Sequence, residues 1–109
     1  GQSAAKRPNI VFILTDDQGA WAMGGGHPDA VTPNLDRLRA EGATFTNFFC
    51  TTPVCSPARA GILTSRYPTE HGIQAEWGEL PPGLPSLPGW LSRHGYHTVL
   101  AAGEAELGD

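Results

Sequence analysis

Two cysteines in 109 residues are too few for a disulfide framework, so this chain must fold on its core and hydrogen bonds. Long apolar runs are missing as well. The longest, Ile10 to Leu14, falls far short of the roughly 20 residues of a membrane span. Cationic excess is absent: seven Lys and Arg against eleven Asp and Glu leave a formal charge of −4. A nucleic-acid surface, which clusters Lys and Arg, is therefore not expected. An anionic substrate remains open, because a few local cations and a metal override an acidic average. No internal repeat or low-complexity tract is present. Residues 1–7 carry neither an initiator methionine nor the apolar core of a secretion signal, and read as a processed or engineered extension.

What is present alternates strand and helix signals. Asn9 to Thr15 is a β-branched and aromatic run after Pro8, apolar on both faces as a central parallel strand requires. Asp16 and Asp17 follow at its carboxyl end, the edge where open α/β sheets bind ligands. The glycines at 24–26 mark a loop. Thr32-Pro33-Asn34 starts a helix that Gly42 stops, with Leu35 and Leu38 on one face. Residues 44–48 alternate as a second strand, and 57–64 suit a short helix beginning just after Cys55. Residues 78–89, rich in proline and glycine, form a surface loop. A helix over 87–94 and a third strand over 98–102 follow. The expected class is α/β, a mainly parallel sheet flanked by helices.

Three residue groups carry chemistry. Adjacent Asp16 and Asp17 offer hard anionic oxygens of the kind that bind Ca²⁺ or Mg²⁺. Cys55 at a helix start sits where unpaired N–H groups and the helix dipole favour an anion. Arg59 is one turn further along the same face, with a guanidinium suited to oxyanions. Taken singly, each has a plainer reading: a turn-forming Asp pair, a buried small thiol, a surface charge. His27, His71, His94 and His97 have no metal-site spacing, His71 being expected to pack in a turn beside Gly72. Trp21, Trp77 and Trp90 are assigned to core or rim packing. Cys50 is read as buried and passive, since a short Cys50–Cys55 loop would block the second thiol.

Together these blocks resemble the type I, formylglycine-dependent sulfatases of the alkaline phosphatase-like superfamily. Pro8 to Gln18 resembles the opening strand with its metal-binding aspartates, and Thr32 to Leu38 with Glu41, Gly42 and Phe45 resembles the next helix and strand. Cys55-Ser-Pro57-Ala-Arg59, then Leu63, Thr64, Arg66 and Gly72, resembles the formylglycine signature, with Ser65 where many members carry glycine. Gly95-Tyr-His-Thr98 resembles a later block. The resemblance implies that residues 8–109 are the N-terminal portion of a catalytic domain, inactive and marginally stable alone. It implies Cys55 oxidised by a formylglycine-generating enzyme, with Asp16, Asp17 and residue 55 about a Ca²⁺ (or Mg²⁺). One hydroxyl of the hydrated aldehyde would attack sulfur and expel the alcohol. Deprotonation of the other would expel sulfate and regenerate the aldehyde. Arg59 would hold the hydrate. The substrate class is a sulfate ester of a small molecule or glycan, with a periplasmic or secreted location favoured.

The sequence departs from the family most at its C-terminal block. The Gly-Lys-x-His run that contacts sulfate corresponds to Gly103-Glu104-Ala105-Glu106, so neither cationic role is carried over. Carboxylates there would repel a sulfate. Two alternatives follow: a phosphonate or phosphate monoester hydrolase of the same superfamily, and a degenerate, non-catalytic binding protein.

Overall fold

The computed structural model describes residues 6–102, which fall into two compact units, up to Phe45 and from Thr46 onward. Glu104 and Glu106 lie outside the described residues.

The first unit contains a short 3-10 turn, Ala20–Ala22, and helix α1, Pro33–Glu41. Proline at the first helical position fixes φ and forfeits only an N–H that would lack a partner anyway. Gly42 closes the helix by donating its N–H to the Leu38 carbonyl at 2.9 Å. Thr32 occupies the N-cap position, as its sequence context predicts, but its hydroxyl does not cap the helix backbone. It accepts from the Gly24 N–H at 2.8 Å and donates to Asp36 Oδ1 at 3.1 Å. Arg39 donates to the Gly24 carbonyl at 3.0 Å. The glycine loop is thereby tied to α1 through both polar groups of one residue. A Cβ on Gly24 would overlap the Asp36 carboxylate, which would have to move and give up its place beside Thr32.

The second unit is built around α2, Cys55–Thr64, which packs against α3, Pro68–His71, and α4, Leu87–Arg93. Ser56, Ala60 and Thr64, spaced four apart, form the buried stripe of α2 together with Pro57. Small side chains at these positions allow close approach of the neighbouring helices. Thr64 satisfies its buried hydroxyl by donating to the Ala60 carbonyl at 2.7 Å. The loop after α3 adds Ile73, 3% exposed, to the buried Ala60 and Pro57 of α2. α3 opens with Pro68 and with the Tyr67 N–H donated to Glu70 at 3.2 Å. α4 opens with the Ser86 hydroxyl accepting from the Gly89 N–H at 3.2 Å. It ends with His94 stacked on Trp90, ring centres 3.9 Å apart.

The helices follow the sequence signals closely: expectations over 32–42, 57–64 and 87–94 become α1, α2 and α4. The first unit's 3-10 turn and α3 are additions to that scheme. The three segments read as strands, 9–15, 44–48 and 98–102, have no ladder pairing, and no strand occurs among the described residues. Their apolar side chains are open: Val11 is 83% exposed, Phe48 82% and Leu100 89%. A strand, unlike a helix, takes its hydrogen bonds from a neighbour, and a parallel strand becomes buried only when both faces are covered. Cys50 is a second correction. It is exposed, in a segment without helix or ladder to bury it, and no disulfide joins it to Cys55. Among the described residues no helix is long and apolar enough to cross a membrane.

Candidate active site

In the first unit, Asp16 and Asp17 form an exposed bend directly after the apolar run. Along a regular strand, consecutive side chains leave on opposite faces. Asp17 instead takes φ 48°, in the left-handed region, and breaks that alternation. A carboxylate oxygen of each residue accordingly lies within 4.8 Å of the other. Two hard anionic oxygens at this separation fit a Ca²⁺ or Mg²⁺ ion, which takes carboxylate ligands from one short segment. The donor set suits such an ion far better than a soft metal.

In the second unit, Cys55 is the first residue of α2 and Arg59 lies one turn along. Both are partly buried, on the flank beside the Ser56–Ala60–Thr64 stripe. That stripe fixes the rotation of α2 about its axis, and so fixes the face on which Cys55 and Arg59 stand together. Pro57 within the first turn costs no hydrogen bond, and the Ala58 N–H closes the turn onto the Val54 carbonyl at 3.0 Å.

The start of α2 differs from its sequence-based expectation in one respect. Val54 at the N-cap position provides no side-chain acceptor. The cap comes from Glu76: its Oε1 accepts the Cys55 N–H at 3.1 Å, and its Oε2 accepts the Ser56 hydroxyl at 3.0 Å. The anion favoured by the exposed donors and helix dipole is thus a carboxylate of the chain itself. Nothing in the spacing of the sequence points to Glu76, which lies 21 residues from Cys55 in a stretch of loop.

His71 is completely buried beside Gly72, at the turn its position in the sequence suggests. Its Nδ1 accepts the Ile73 N–H at 3.1 Å, which assigns the proton to Nε2. That Nε2 has no hydrogen-bond partner among the described residues. His27 contacts Asp29 at 3.7 Å and the Trp21 ring edge-on in the first unit, while His94 caps α4. His27, His71 and His94 thus sit in separate local structures, and His97 is exposed in the chain after α4. Trp21, Trp77 and Trp90 are 65%, 73% and 52% exposed, which overturns the core half of the core-or-rim expectation for all three.

Comparison with known proteins bears on this arrangement. The sulfatase family model matches residues 8–107. Arylsulfatase A of Bos taurus is 42% identical over 117 aligned residues, covering 99% of this chain and 22% of that protein. N-acetylgalactosamine-6-sulfatase of Mus musculus is 39% identical, covering 96% of the chain and 23% of the relative. An ulvan-active sulfatase of Formosa agariphila is 40% identical over 99 residues, 90% of the chain and 19% of its own length. The chain thus spans about a fifth of each of these relatives. No solved structure matches it.

Proposed function

The chain belongs to the sulfatase family, and from that premise we propose that it carries the nucleophile segment and part of the metal site of a sulfuric ester hydrolase. The family implies an alkaline phosphatase-like α/β fold; in this proposal the runs at 9–15, 44–48 and 98–102 pair with strands of the full-length enzyme. The observation that supports it best is Cys55 as the first residue of α2, with Arg59 one turn further on the same face.

Each residue has a separate task. Residue 55, converted to formylglycine by a dedicated maturation enzyme, supplies the nucleophile, and its place at the end of α2 gives it a fixed direction of attack. Arg59 presents a planar, permanently charged fork one turn away, able to hold a hydroxyl of the hydrated residue or a sulfuryl oxygen. Asp16 and Asp17 hold the divalent cation, with residue 55 as a further ligand. That ion, Ca²⁺ in this proposal, supplies charge neutralisation and lowers the pKa of a bound hydroxyl. The substrate is a sulfate ester of a small molecule or glycan, and the enzyme works in a periplasmic or secreted setting.

Mass spectrometry across Cys55 in the full-length protein, paired with turnover of matched aryl sulfate and aryl phosphonate esters, tests the proposal. An aldehyde at residue 55, sulfate ester turnover, and its complete loss in Cys55→Ala are expected. Turnover of the phosphonate alone would assign the protein to the phosphonate hydrolases instead. An unmodified thiol with ligand binding unaffected by Cys55→Ala would mean a non-catalytic binding protein, the reading that Glu104 and Glu106 favour.

A further inference from the structure

We infer that Glu76 is a positioning residue for the nucleophile turn, holding the Cys55–Ser56 segment at the start of α2. The inference rests on the sulfatase reading above, because that reading is what makes the orientation of residue 55 matter.

Three observations carry it. First, the two Glu76 oxygens are divided between adjacent residues: one accepts the Cys55 backbone N–H, the other the Ser56 hydroxyl. A carboxylate that binds a backbone N–H and the next side chain restrains the peptide between them in both position and rotation. Ser56 is fully buried, so the hydroxyl end of this clamp is itself held by packing.

Second, the N-cap residue of α2 does not itself restrain the first turn. Val54 offers no cap, Pro57 has no N–H, and the Ala58 N–H is committed to the Val54 carbonyl. Without Glu76 the Cys55 N–H would lose its side-chain partner, and helix ends fray when their terminal groups are unrestrained.

Third, the segment that delivers Glu76 is tightly determined. It leaves α3 through Gly72 at φ 83°, and the buried His71 ring accepts the N–H of Ile73, itself 3% exposed. A Cβ on Gly78 would stand 2.7 Å from Ile73 Cγ2, so the chain after Glu76 runs back against the same isoleucine. Trp77, immediately after Glu76, takes φ 63°, a conformation a bulky residue keeps only where its surroundings impose it. The strap from His71 to Gly78 is anchored on both sides of the carboxylate.

The chemical consequence is specific. Glu76 takes the Cys55 N–H and the Ser56 hydroxyl, so neither of these two donors binds the sulfuryl oxygens. Its contribution is to the direction in which residue 55 presents its reacting oxygen, which affects the rate of attack more than the binding of substrate.

The test compares Glu76→Ala and Glu76→Gln in the full-length enzyme, with activity normalised to the aldehyde content at residue 55. Glutamine keeps an oxygen for the Cys55 N–H and an amide group within reach of the Ser56 hydroxyl oxygen. Glu76→Ala is expected to lower kcat about tenfold or more with KM little changed, and Glu76→Gln to restore most of it. In parallel, hydrogen exchange at the residue 55 amide should quicken in Glu76→Ala and return to the parental rate in Glu76→Gln. The amides of the last turn of α2 should be unmoved in both. Parental kcat in Glu76→Ala, or unaltered exchange at residue 55, would overturn the inference. A parent protein that bears the aldehyde yet turns over no sulfate ester would refute the enzymatic reading, while the exchange experiment still decides whether Glu76 holds the turn.

Discussion

Replacing Ser65 by glycine should stabilise this chain, and replacing Gly72 by alanine should destabilise it by a similar amount. The two residues end successive helices in the same way. Ser65 follows α2 at φ 56°, ψ 32°, and Gly72 follows α3 at φ 83°, ψ −7°, each closing its helix with a backbone N–H donated to a carbonyl of the last turn. A side chain in the left-handed region costs about 1–2 kcal/mol through the clash of Cβ with the following carbonyl. Glycine escapes that cost but has about 0.5–1 kcal/mol more conformational entropy to lose on folding. The difference leaves Ser65→Gly about 0.5–1 kcal/mol more stable. Ser65 is exposed, and its hydroxyl enters no hydrogen bond among the described residues, so no contact is forfeited. At Gly72 the nearest atom to an added Cβ is Pro81 Cγ at 4.0 Å, so backbone conformation rather than crowding decides the effect. For a domain of this size the expected shifts in thermal midpoint are about 2–6 °C, upward for Ser65→Gly and downward for Gly72→Ala. Far-UV circular dichroism on heating measures both. Ser65 lies at the far end of α2, about 15 Å from Cys55, so turnover per aldehyde in the full-length enzyme should not change. An unchanged or lowered midpoint in Ser65→Gly would refute the reasoning.

Further outcomes follow from the same geometry. Arg59→Lys replaces a planar fork with a point charge and should lower kcat of the full-length enzyme about tenfold or more, measured at equal aldehyde content. Asp16→Asn and Asp17→Asn should each weaken Ca²⁺ binding in a calorimetric titration. Ca²⁺ at about a hundred times its dissociation constant should stabilise the parent by about 2.7 kcal/mol, an increment a chelator removes and the double variant lacks. Ala60 is fully buried within the stripe α2 presents to its neighbours, so Ala60→Leu should cost about 1–3 kcal/mol by overpacking, read from urea unfolding.

The helices were legible in the sequence because their determinants are local. Thr32-Pro33 and Gly42 bracket α1, Ser86 and Gly95 bracket α4, and each hydrogen bond lies within a few residues of its partner. α3 escaped notice because four residues are too few for an apolar period; Pro68 and Gly72 were its only signs. The strand segments show the opposite case. Composition marks Ile10 to Leu14 as a strand buried on both faces, yet a strand needs neighbours distant in sequence, and none pairs with it among the described residues. Local preference marks a segment as apolar and extended but does not supply the neighbour that makes it a strand.

The candidate site divides along the same line. Cys55 and Arg59 are four apart on one helix, and Asp16 and Asp17 are neighbours, so spacing alone brought each pair to attention. Glu76 has no such relation to Cys55. It reaches the first turn of α2 only because α3 reverses the chain at Gly72 and Ile73 anchors the strap that returns it. A helix start is an open anion site only where no acidic side chain of the protein arrives there first. Glu76 does arrive, with both oxygens engaged. The start of α2 is thus engaged by a side chain of the chain itself, and in the proposed enzyme its part is to aim residue 55.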